Sequence, residues 1–262
     1  MQKFNFINVY KQSIKPLRFW VMINKIRSRF FFNEGSLTRE ENLKWIKENV
    51  TEVSIFANTI SSPLWEEAIT QSKILEQNAN RTLKNIKYDL RGGADYPLLY
   101  FLTRYLSPKN VLETGVAAGF SSYAILLALQ KNGEGTLYSS DFPYFRIKDP
   151  EKYIGIVVEK NLRKNWNLFI EGDANNLPKI FKTVKKIDIF SYDSDKSYSG
   201  RSKTLKKVSK FLTENSVIIM DDIQDNSFFY DYIKENNISN WKVFEFNNKY
   251  LGIIGKLVNL KN

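Results

Sequence analysis

The stretch that decides the fold is residues 111–122, which read Val-Leu-Glu-Thr-Gly-Val-Ala-Ala-Gly-Phe-Ser-Ser. An apolar run leads into Glu113, and Gly115 and Gly119 then permit a tight turn before a helix begins. A glycine turn of this kind also lets a ligand approach the backbone. The start of the following helix can hold an anion, to which Ser121 can donate a hydrogen bond. These residues therefore predict a strand, a ligand-binding turn and a helix.

From residue 110 onward, short apolar runs alternate with helical patterns, which is typical of a parallel α/β sheet. The predicted strands are 110–116, 136–141, 168–173, 187–193 and 216–222, followed by 241–247 and 250–256. The predicted helices are 120–131, 150–165, 175–184, 199–213 and 226–236. An Asn-Asn-Lys turn separates the last two strands, so we expect them to form an antiparallel hairpin. The pattern predicts seven strands, most of them parallel.

The first 87 residues have a different pattern, which predicts a helical N-terminal extension to a domain at 88–262. Thr38 and Glu41 have the spacing of a capping box. Ser62 and Pro63 predict a second helix start, with the serine as the cap. We expect this extension to form a lid, a dimer contact or a wall of the acceptor pocket.

Acidic residues end four successive predicted strands after the first: Asp141, Asp173, Asp193 and the pair Asp221-Asp222. In open α/β sheets, ligands bind beyond the carboxyl ends of the strands. We therefore expect these carboxylates to converge on one crevice.

The glycine turn favours S-adenosylmethionine (SAM) over NAD as the ligand. A dinucleotide turn has the pattern G-x-G-x-x-G, whereas this turn has E-x-G-x-x-x-G, with Ala117 at the position of the second glycine. Glu113 would repel a pyrophosphate but could accept a hydrogen bond from the ammonium of an amino-acid ligand. Asp141 is placed to accept hydrogen bonds from both ribose hydroxyls.

With these features, residues 88–256 resemble a class I SAM-dependent methyltransferase with a Rossmann-like sheet. The match covers the glycine turn, the acidic end of the second strand, the segment Glu-Gly-Asp-Ala at 171–174 and the terminal hairpin. The resemblance implies that Glu113, Gly115 and Ser121 contact the methionine part of SAM at a turn completed by Gly119. It also implies that Asp141 holds the ribose, and that Asp173 and Ala174 flank the adenine.

A narrower resemblance concerns residues 192–198, Tyr-Asp-Ser-Asp-Lys-Ser-Tyr, and residues 220–222, Met-Asp-Asp. They are similar to the D-x-x-K and D-[DN] pair of metal-dependent O-methyltransferases of the catechol and caffeoyl-CoA types. They are also similar to the D-G-D-H-S-Y segment of methyltransferases that tailor sugars, antibiotics and polysaccharides. Here Ser194 replaces the glycine, Lys196 replaces the histidine, and Asp222 replaces the usual asparagine. The turn at 91–96 resembles that tailoring group as well.

The chemistry of methyl transfer gives these residues roles. A divalent cation such as Mg²⁺, held by Asp193, Asp221 and Asp222, would bind the acceptor hydroxyl and acidify it. A lysine beside such a cation and a sulfonium loses its proton more readily, so we expect Lys196 to be the base, with Asp193 also at the catalytic centre. The predicted reaction is O-methylation of a small hydroxylated acceptor, such as a sugar, a polysaccharide precursor or a secondary metabolite.

The composition excludes several other chemistries. The chain has no Cys and no His, which rules out Ser-His-Asp and Cys-His triads, thiolate metal sites and His-ligated zinc. Any metal site must use oxygen ligands. The N-terminus has no apolar segment and cleavage site typical of a secretory signal, so we expect a cytoplasmic protein.

Positive charge is concentrated at the N-terminus. The net charge is +11, and residues 1–32 contribute +7, with seven bases, no acids and eight aromatic residues. This segment could pack on its own or a partner subunit, with Phe30 to Phe32 as a partner surface, or contact a membrane surface or nucleic acid. The alternatives in function are a nucleic-acid methyltransferase, an NAD-dependent oxidoreductase and a non-catalytic SAM-binding module. The absence of an N-P-P-Y-type motif counts against nucleic acid.

Overall fold

The computed structural model describes residues 6–15, 17–27, 35–90 and 94–257. Its centre is a seven-stranded sheet in the order β3-β2-β1-β4-β5-β7-β6. The strands are β1 Asn110–Thr114, β2 Thr136–Ser140, β3 Trp166–Phe169, β4 Ile187–Tyr192, β5 Leu212–Met220, β6 Trp241–Phe246 and β7 Lys249–Ile254. The first five strands are parallel, and β7 runs antiparallel to both β5 and β6. The predicted Rossmann-like sheet with a terminal hairpin is confirmed.

Nine α-helices lie in the described residues. They are α1 Phe6–Ser13, α2 Phe19–Arg27, α3 Arg39–Asn49, α4 Val53–Leu83, α5 Tyr96–Leu106, α6 Phe120–Asn132, α7 Asp173–Thr183, α8 Tyr198–Val208 and α9 Phe228–Glu235. None of the described helices has both the length and the apolar character needed to cross a bilayer.

Helices cover both faces of the sheet because successive strand residues point to opposite sides. Val111 of β1 packs in the core with α4, α5 and α6, whereas its neighbour Leu112 packs in the core with α7, α8 and α9. The N-terminal helices join both layers, since Phe56 of α4 lies in the first core and Ile46 of α3 in the second. The division into domains at residue 87 stays a prediction.

Helix starts in the N-terminal region follow the expected chemistry with one correction. Thr38 and Glu41 form the predicted capping box. The predicted cap at Ser62 is wrong by one residue, because α4 is kinked at Ser61, which has extended backbone angles (φ −164°, ψ 100°) and accepts a hydrogen bond from Leu64 N at 3.4 Å. Pro63 lies in the first turn after this kink, where its missing N–H has no helical partner to lose.

The predicted helix at 150–165 is also wrong. The segment holds two short 3₁₀ turns, Pro150–Tyr153 and Lys160–Asn165. Between them, Gly155 N donates to Ala117 O at 2.9 Å and Val157 N donates to Ala118 O at 3.1 Å. These bonds to the glycine turn replace the helical ones, so the segment covers that turn.

The strands end slightly earlier than predicted. β2, β4 and β5 each stop one residue before their acid, and β3 stops at Phe169 because residues 170–172 turn into α7, with Gly172 at φ 80°. Asp173 is therefore the first residue of α7 rather than the end of a strand. The acids still lie at the carboxyl edge of the sheet.

Candidate functional site

The glycine turn between β1 and α6 is closed by the protein's own backbone. Gly115 (φ 87°) and Gly119 (φ 101°) both have left-handed conformations. A Cβ atom at Gly115 would overlap the carbonyl oxygen of Asp193, and one at Gly119 would lie 2.7 Å from Gly155 Cα. The expectation that these glycines make room for a ligand is therefore incomplete, because at both positions the close neighbour is another part of the chain.

Glu113 lies under this turn and is 1% exposed. One carboxylate oxygen accepts from Ser121 Oγ at 2.6 Å, and the other accepts from Ser122 Oγ at 2.6 Å and Ser139 Oγ at 2.7 Å. Burial raises the pKa of Glu113, and the three hydroxyl groups oppose this shift. Because Ser121 at the start of α6 and Ser139 of β2 both donate to Glu113, this carboxylate connects the helix to the strand. The predicted contacts of Glu113 and Ser121 with the methionine part of SAM stay predictions.

Asp141 and Asp173 have similar surroundings. Asp141 accepts hydrogen bonds from Val116 N at 3.1 Å and Ala117 N at 2.8 Å, so it holds the glycine turn against the end of β2. Asp173, which is followed by Ala174, accepts from Ser140 Oγ at 2.5 Å and from Ser194 Oγ at 2.6 Å. We call Glu113, Asp141 and Asp173 the turn acids. The hydrogen bonds given above come from hydroxyls and backbone amides.

Asp193, Asp221 and Asp222 form a second group, which we call the cluster acids. One carboxylate oxygen from each lies within 4.8 Å of the others, at the carboxyl ends of β4 and β5. Ser194 links the two groups, because it follows Asp193 and donates to Asp173. The predicted meeting of these three carboxylates is confirmed.

Two lysine side chains neutralise the cluster acids. Lys196 Nζ lies 2.7 Å from Asp193 Oδ1 and 3.6 Å from Asp221 Oδ2, and it also contacts Asp222. Lys249 Nζ lies 3.3 Å from Asp222 Oδ1 and 3.9 Å from Asp221 Oδ2. The structure thus brings Lys196 to the cluster as predicted, and it holds Lys196 there as part of an ion-pair network.

The electrostatics of the cluster favour binding of positive charge. Burial, together with the adjacent Asp221 carboxylate, raises the pKa of Asp193 to about 7. Asp221 Oδ2 is buried and accepts no hydrogen bond from the described residues. Asp222 has a left-handed backbone (φ 51°), which is strained for a residue other than glycine and is common at functional sites. The three acids supply the oxygen ligands that a cation such as Mg²⁺ prefers.

Sequence reasoning missed Arg201, whose guanidinium is buried beneath the cluster. It donates to Asp221 O at 3.0 Å, Asp222 O at 2.9 Å and Lys196 O at 3.2 Å. Arg201 therefore positions the backbone that carries three of the charged side chains. Its pattern in the sequence is that of any basic residue in the first turn of a helix, so no local signal marks it.

Lys249 was also missed, although a topological signal existed. β7 runs antiparallel to β5 with Gly252 opposite Met220, so Lys249, three residues earlier in β7, lies beyond the carboxyl end of β5. A predicted hairpin thus brings a lysine to the acidic edge of the sheet.

Asp95 adds another buried carboxylate near this edge. It is the N-cap of α5, where its Oδ1 accepts from Leu98 N at 3.0 Å, and its Oδ2 is buried with no hydrogen bond from the described residues. Burial raises the pKa of Asp95 to about 7, and the Asp221 carboxylate adds to this shift. Residues 91–93 of the predicted turn at 91–96 lie outside the described residues.

The N-terminal region contacts the side of the site that holds Asp173, through Arg18. This guanidinium is 2% exposed and donates to both carboxylate oxygens of Glu171, at 2.8 and 2.9 Å, and to Glu151 at 2.6 Å. Val21 also lies over Gly172, since a Cβ there would be 2.9 Å from Val21 Cγ1. The N-terminal helices thus lie beside the start of α7, next to Asp173.

Comparisons with known proteins agree with this geometry. A family model described as a methyltransferase domain matches residues 112–223, which include the glycine turn and all the cluster acids. A ribosomal RNA large subunit methyltransferase E from Methanosphaera stadtmanae is 26% identical over 153 residues, covering 54% of this chain and 71% of the relative.

Solved structures show the same fold at low sequence identity. The O-methyltransferase TomG from Streptomyces achromogenes, involved in tomaymycin synthesis and solved with SAM, has a TM-score of 0.52 at 14% identity, covering 69% of this chain and 88% of TomG. An O-methyltransferase from Bacillus cereus, solved with S-adenosylhomocysteine, has a TM-score of 0.50 at 13% identity, covering 80% of this chain and all of the other. Residues 112–223 therefore match a methyltransferase domain, and the chain has the fold of these two O-methyltransferases, which were solved with SAM and S-adenosylhomocysteine.

Proposed function

We propose that this methyltransferase methylates a hydroxyl group of a small acceptor, such as a sugar, a polysaccharide precursor or a secondary metabolite, with the help of a divalent cation. The observation that carries the proposal is the cluster of Asp193, Asp221 and Asp222, whose oxygens lie within 4.8 Å of one another beside the turn acids. The two solved structures named above, both O-methyltransferases by name, support the choice of oxygen as the acceptor atom.

The cofactor is assigned to the turn acids and the glycine turn. We place the methionine part of SAM at Glu113, Gly115, Gly119 and Ser121, the ribose at Asp141, and the adenine beside Asp173 and Ala174. Ser194 supports this placement, because its bond to Asp173 connects the adenine end to the residue that follows Asp193. A methyl group on SAM would then face the cluster acids.

The cluster acids fit a divalent cation on chemical grounds. The donors are all carboxylates, and the buried Asp221 Oδ2 accepts no hydrogen bond from the described residues. Mg²⁺ bound there would make it easier for the acceptor hydroxyl to lose its proton. The lysines would then be displaced from carboxylates that they now neutralise.

Lys196 is assigned as the group that takes the acceptor proton. In the reaction, the acceptor oxygen forms a bond to the methyl carbon, the bond from that carbon to sulfur breaks, and SAM leaves as the thioether S-adenosylhomocysteine. The proton would pass to Lys196, whose Nζ contacts the cluster acids here and would remain beside them once a cation has displaced it from the carboxylates. A base must first be neutral, so a lysine that keeps its proton would instead serve as the cation of the cluster.

The experiment that tests the proposal measures cofactor binding and turnover separately. Calorimetric titration of S-adenosylhomocysteine into EDTA-treated protein should show binding, and NAD should show none. Methyl transfer from SAM to a panel of phenols, catechols and sugars should then require added Mg²⁺. Full activity in EDTA without added metal would exclude the cation, and absence of S-adenosylhomocysteine binding would exclude the cofactor assignment.

Variants separate the roles of the charged residues. Asp193→Ala should lower turnover by about 100-fold with little change in S-adenosylhomocysteine affinity, because a loss in kcat alone marks a group used in the chemical step. Asp225→Ala is the matched control, since this nearby acid lies outside the cluster and is paired with Arg39 at 4.0 Å. Lys196→Gln should lower kcat and change its pH profile. If Lys196 is only the cation of the cluster, the same variant should bind Mg²⁺ more tightly and keep its activity.

A nucleic-acid acceptor is the second candidate. Two observations favour it: the relative from Methanosphaera stadtmanae is a ribosomal RNA methyltransferase by name, and residues 1–32 carry a charge of +7. RNA added to the same assay decides between the two acceptors. Methylation of RNA that weakens steeply with salt would favour this candidate, because phosphate contacts release counterions.

A further inference from the structure

The outer surface of the N-terminal helices concentrates exposed apolar side chains. Ten large hydrophobic side chains are exposed in the part of the chain that the structure describes, and six of them lie within residues 7–20. These six, which we call the arm surface, are Ile7, Tyr10, Ile14, Leu17, Phe19 and Trp20. The other four, Val50, Ile55, Ile74 and Tyr105, come from three separate parts of the chain.

The arm surface has helical spacing. Ile7 and Tyr10 lie on one face of α1, and Ile14, one residue past its end, follows at the same spacing and donates from its backbone N to Tyr10 O at 3.2 Å. Each of the three is more than 60% exposed. Trp20, near the start of α2, is 68% exposed. Packing against the described residues does not account for this face, and contiguous exposed apolar surface usually marks an interaction site.

The inner side of the same helices is docked firmly, which fixes the outward direction of the arm surface. Arg18 is buried against Glu171 and Glu151, and Met22 is 4% exposed. Asn175 Nδ2 also donates to Leu17 O at 3.0 Å. The exposed side chains are therefore the opposite face of a docked element.

The charge of the residues around the arm surface indicates which partner it binds. Residues 1–33 contain seven bases and no acid. Lys15 and Arg18 are neutralised by Glu151 and Glu171, whereas Lys11 is exposed on α1 beside the apolar side chains. The segment against which the arm docks exposes Arg146, Lys148 and Lys152 as well. Apolar and aromatic side chains next to lysines are the composition of helices that lie in the surface of an anionic bilayer.

We infer that the arm surface binds the headgroup region of an anionic phospholipid bilayer and attaches the methyltransferase to it peripherally. Tyr10 and Trp20 would sit at the level of the headgroups, and Ile7, Ile14 and Phe19 would enter the acyl boundary. Lys11, which is exposed beside these side chains, would contact the lipid phosphates. This inference does not depend on the identity of the methyl acceptor.

Sedimentation with lipid vesicles tests the inference on the full chain. Vesicles of phosphatidylcholine with about 30% phosphatidylglycerol should pull the protein down, and vesicles of phosphatidylcholine alone should bind it much less. The double variant Tyr10→Ser, Trp20→Ser should bind anionic vesicles about tenfold more weakly, and Lys11→Glu should weaken binding and its salt dependence. All three positions are exposed, so these variants should keep the melting temperature of the wild type.

The matched control is the double variant Ile55→Ser, Ile74→Ser, which removes two exposed apolar side chains elsewhere and should bind vesicles like the wild type. The inference is overturned if anionic vesicles do not bind the protein, or if the arm and control variants lose binding equally. It is also overturned if light scattering shows a dimer that the arm variant dissociates while vesicles remain unbound, because the surface would then serve a second copy of the chain.

Discussion

The turn acids and the cluster acids lie at the same edge of one sheet, yet their carboxylates are stabilised by different kinds of partner. Glu113, with one oxygen bonded to Ser121 and the other to Ser122 and Ser139, is buried. Asp193 and its two partners instead face the ammonium groups of Lys196 and Lys249. Glu113 is thus held by neutral donors, whereas the cluster acids face lysine ammonium groups.

This difference predicts two kinds of role, because some carboxylates hold elements of the fold together and others can change the cation they bind. A buried carboxylate bonded to hydroxyls and amides holds elements in place, and its removal leaves those donors without partners. A carboxylate paired with a lysine ammonium can exchange that partner for another cation at little structural cost. We therefore expect mutations in the turn acids to affect folding first, and mutations in the cluster acids to affect cation binding and catalysis first.

The largest effect should follow from Glu113→Ala. Three buried hydroxyls would lose their acceptor, and we expect a loss of about 3 kcal/mol in the free energy of unfolding. Asp193→Ala should change that free energy by less than about 1 kcal/mol, because it also relieves repulsion from Asp221. Urea unfolding of both variants measures the contrast. Equal losses would break the distinction between the two groups.

Arg201→Met should have the next largest effect. The variant removes the guanidinium bonds to the carbonyls of Lys196, Asp221 and Asp222, at a cost of about 2 kcal/mol. Lys196 O keeps a bond from Asn226 Nδ2 and Asp222 O keeps one from Asp225 N, so the loss is largest at Asp221 O. It should also lower Mg²⁺ affinity, because the backbone of the cluster would move. Arg104→Met, which removes a guanidinium bonded to Glu67, is the control and should leave Mg²⁺ affinity unchanged. Calorimetry with Mg²⁺ would contradict the prediction if both variants bound equally well.

The pH dependence of the free energy of unfolding should show that the charged form of Asp193 is disfavoured in the folded protein. Its pKa is raised in the folded state, from 3.8 to about 7, so the folded protein binds an extra proton between these values. The corresponding stability is complete below about pH 4 and is lost progressively as pH rises to about 7, so the wild type should lose stability relative to Asp193→Asn across this range. Urea unfolding in EDTA at pH 4 to 8 measures it. Parallel curves for the two proteins would show that Asp193 does not titrate in this range.

The smallest effect should come from the glycine turn. Gly119→Ala places a Cβ 2.7 Å from Gly155 Cα, whereas Gly133→Ala meets nothing within 4 Å, and both glycines have positive φ. Gly133→Ala is the control, and subtracting its loss in the free energy of unfolding from that of Gly119→Ala leaves the steric cost of the new Cβ. We expect this cost to be about 1 kcal/mol. Thermal unfolding of the two variants checks this difference. If the two variants are equally stable, the segment at 155–157 moves away from the added Cβ without loss of stability. The turn is then less rigid than its hydrogen bonds indicate.

Several features were predictable because they depend on residues close together in sequence. The capping box at Thr38 and Glu41, the glycine turn and the alternation of strands with helices are local patterns, and the structure confirms them. The meeting of Asp193 with Asp221 and Asp222 also followed, since neighbouring parallel strands end at the same edge of a sheet. The helix predicted at 150–165 failed because hydrogen bonds from Gly155 and Val157 to the distant residues Ala117 and Ala118 outcompete helical ones.

The sequence by itself thus determined the sheet, the position of its acidic edge and the residues that could serve a cofactor and a cation there. Only the tertiary structure decided which partners those acids have. Ser139 reaches Glu113, Lys249 reaches Asp222, and Arg18 reaches Glu171 across 26, 27 and 153 residues of chain. A side chain's partner depends on the direction in which it leaves the backbone and on what packs against it. These are properties of the folded whole that no local pattern encodes.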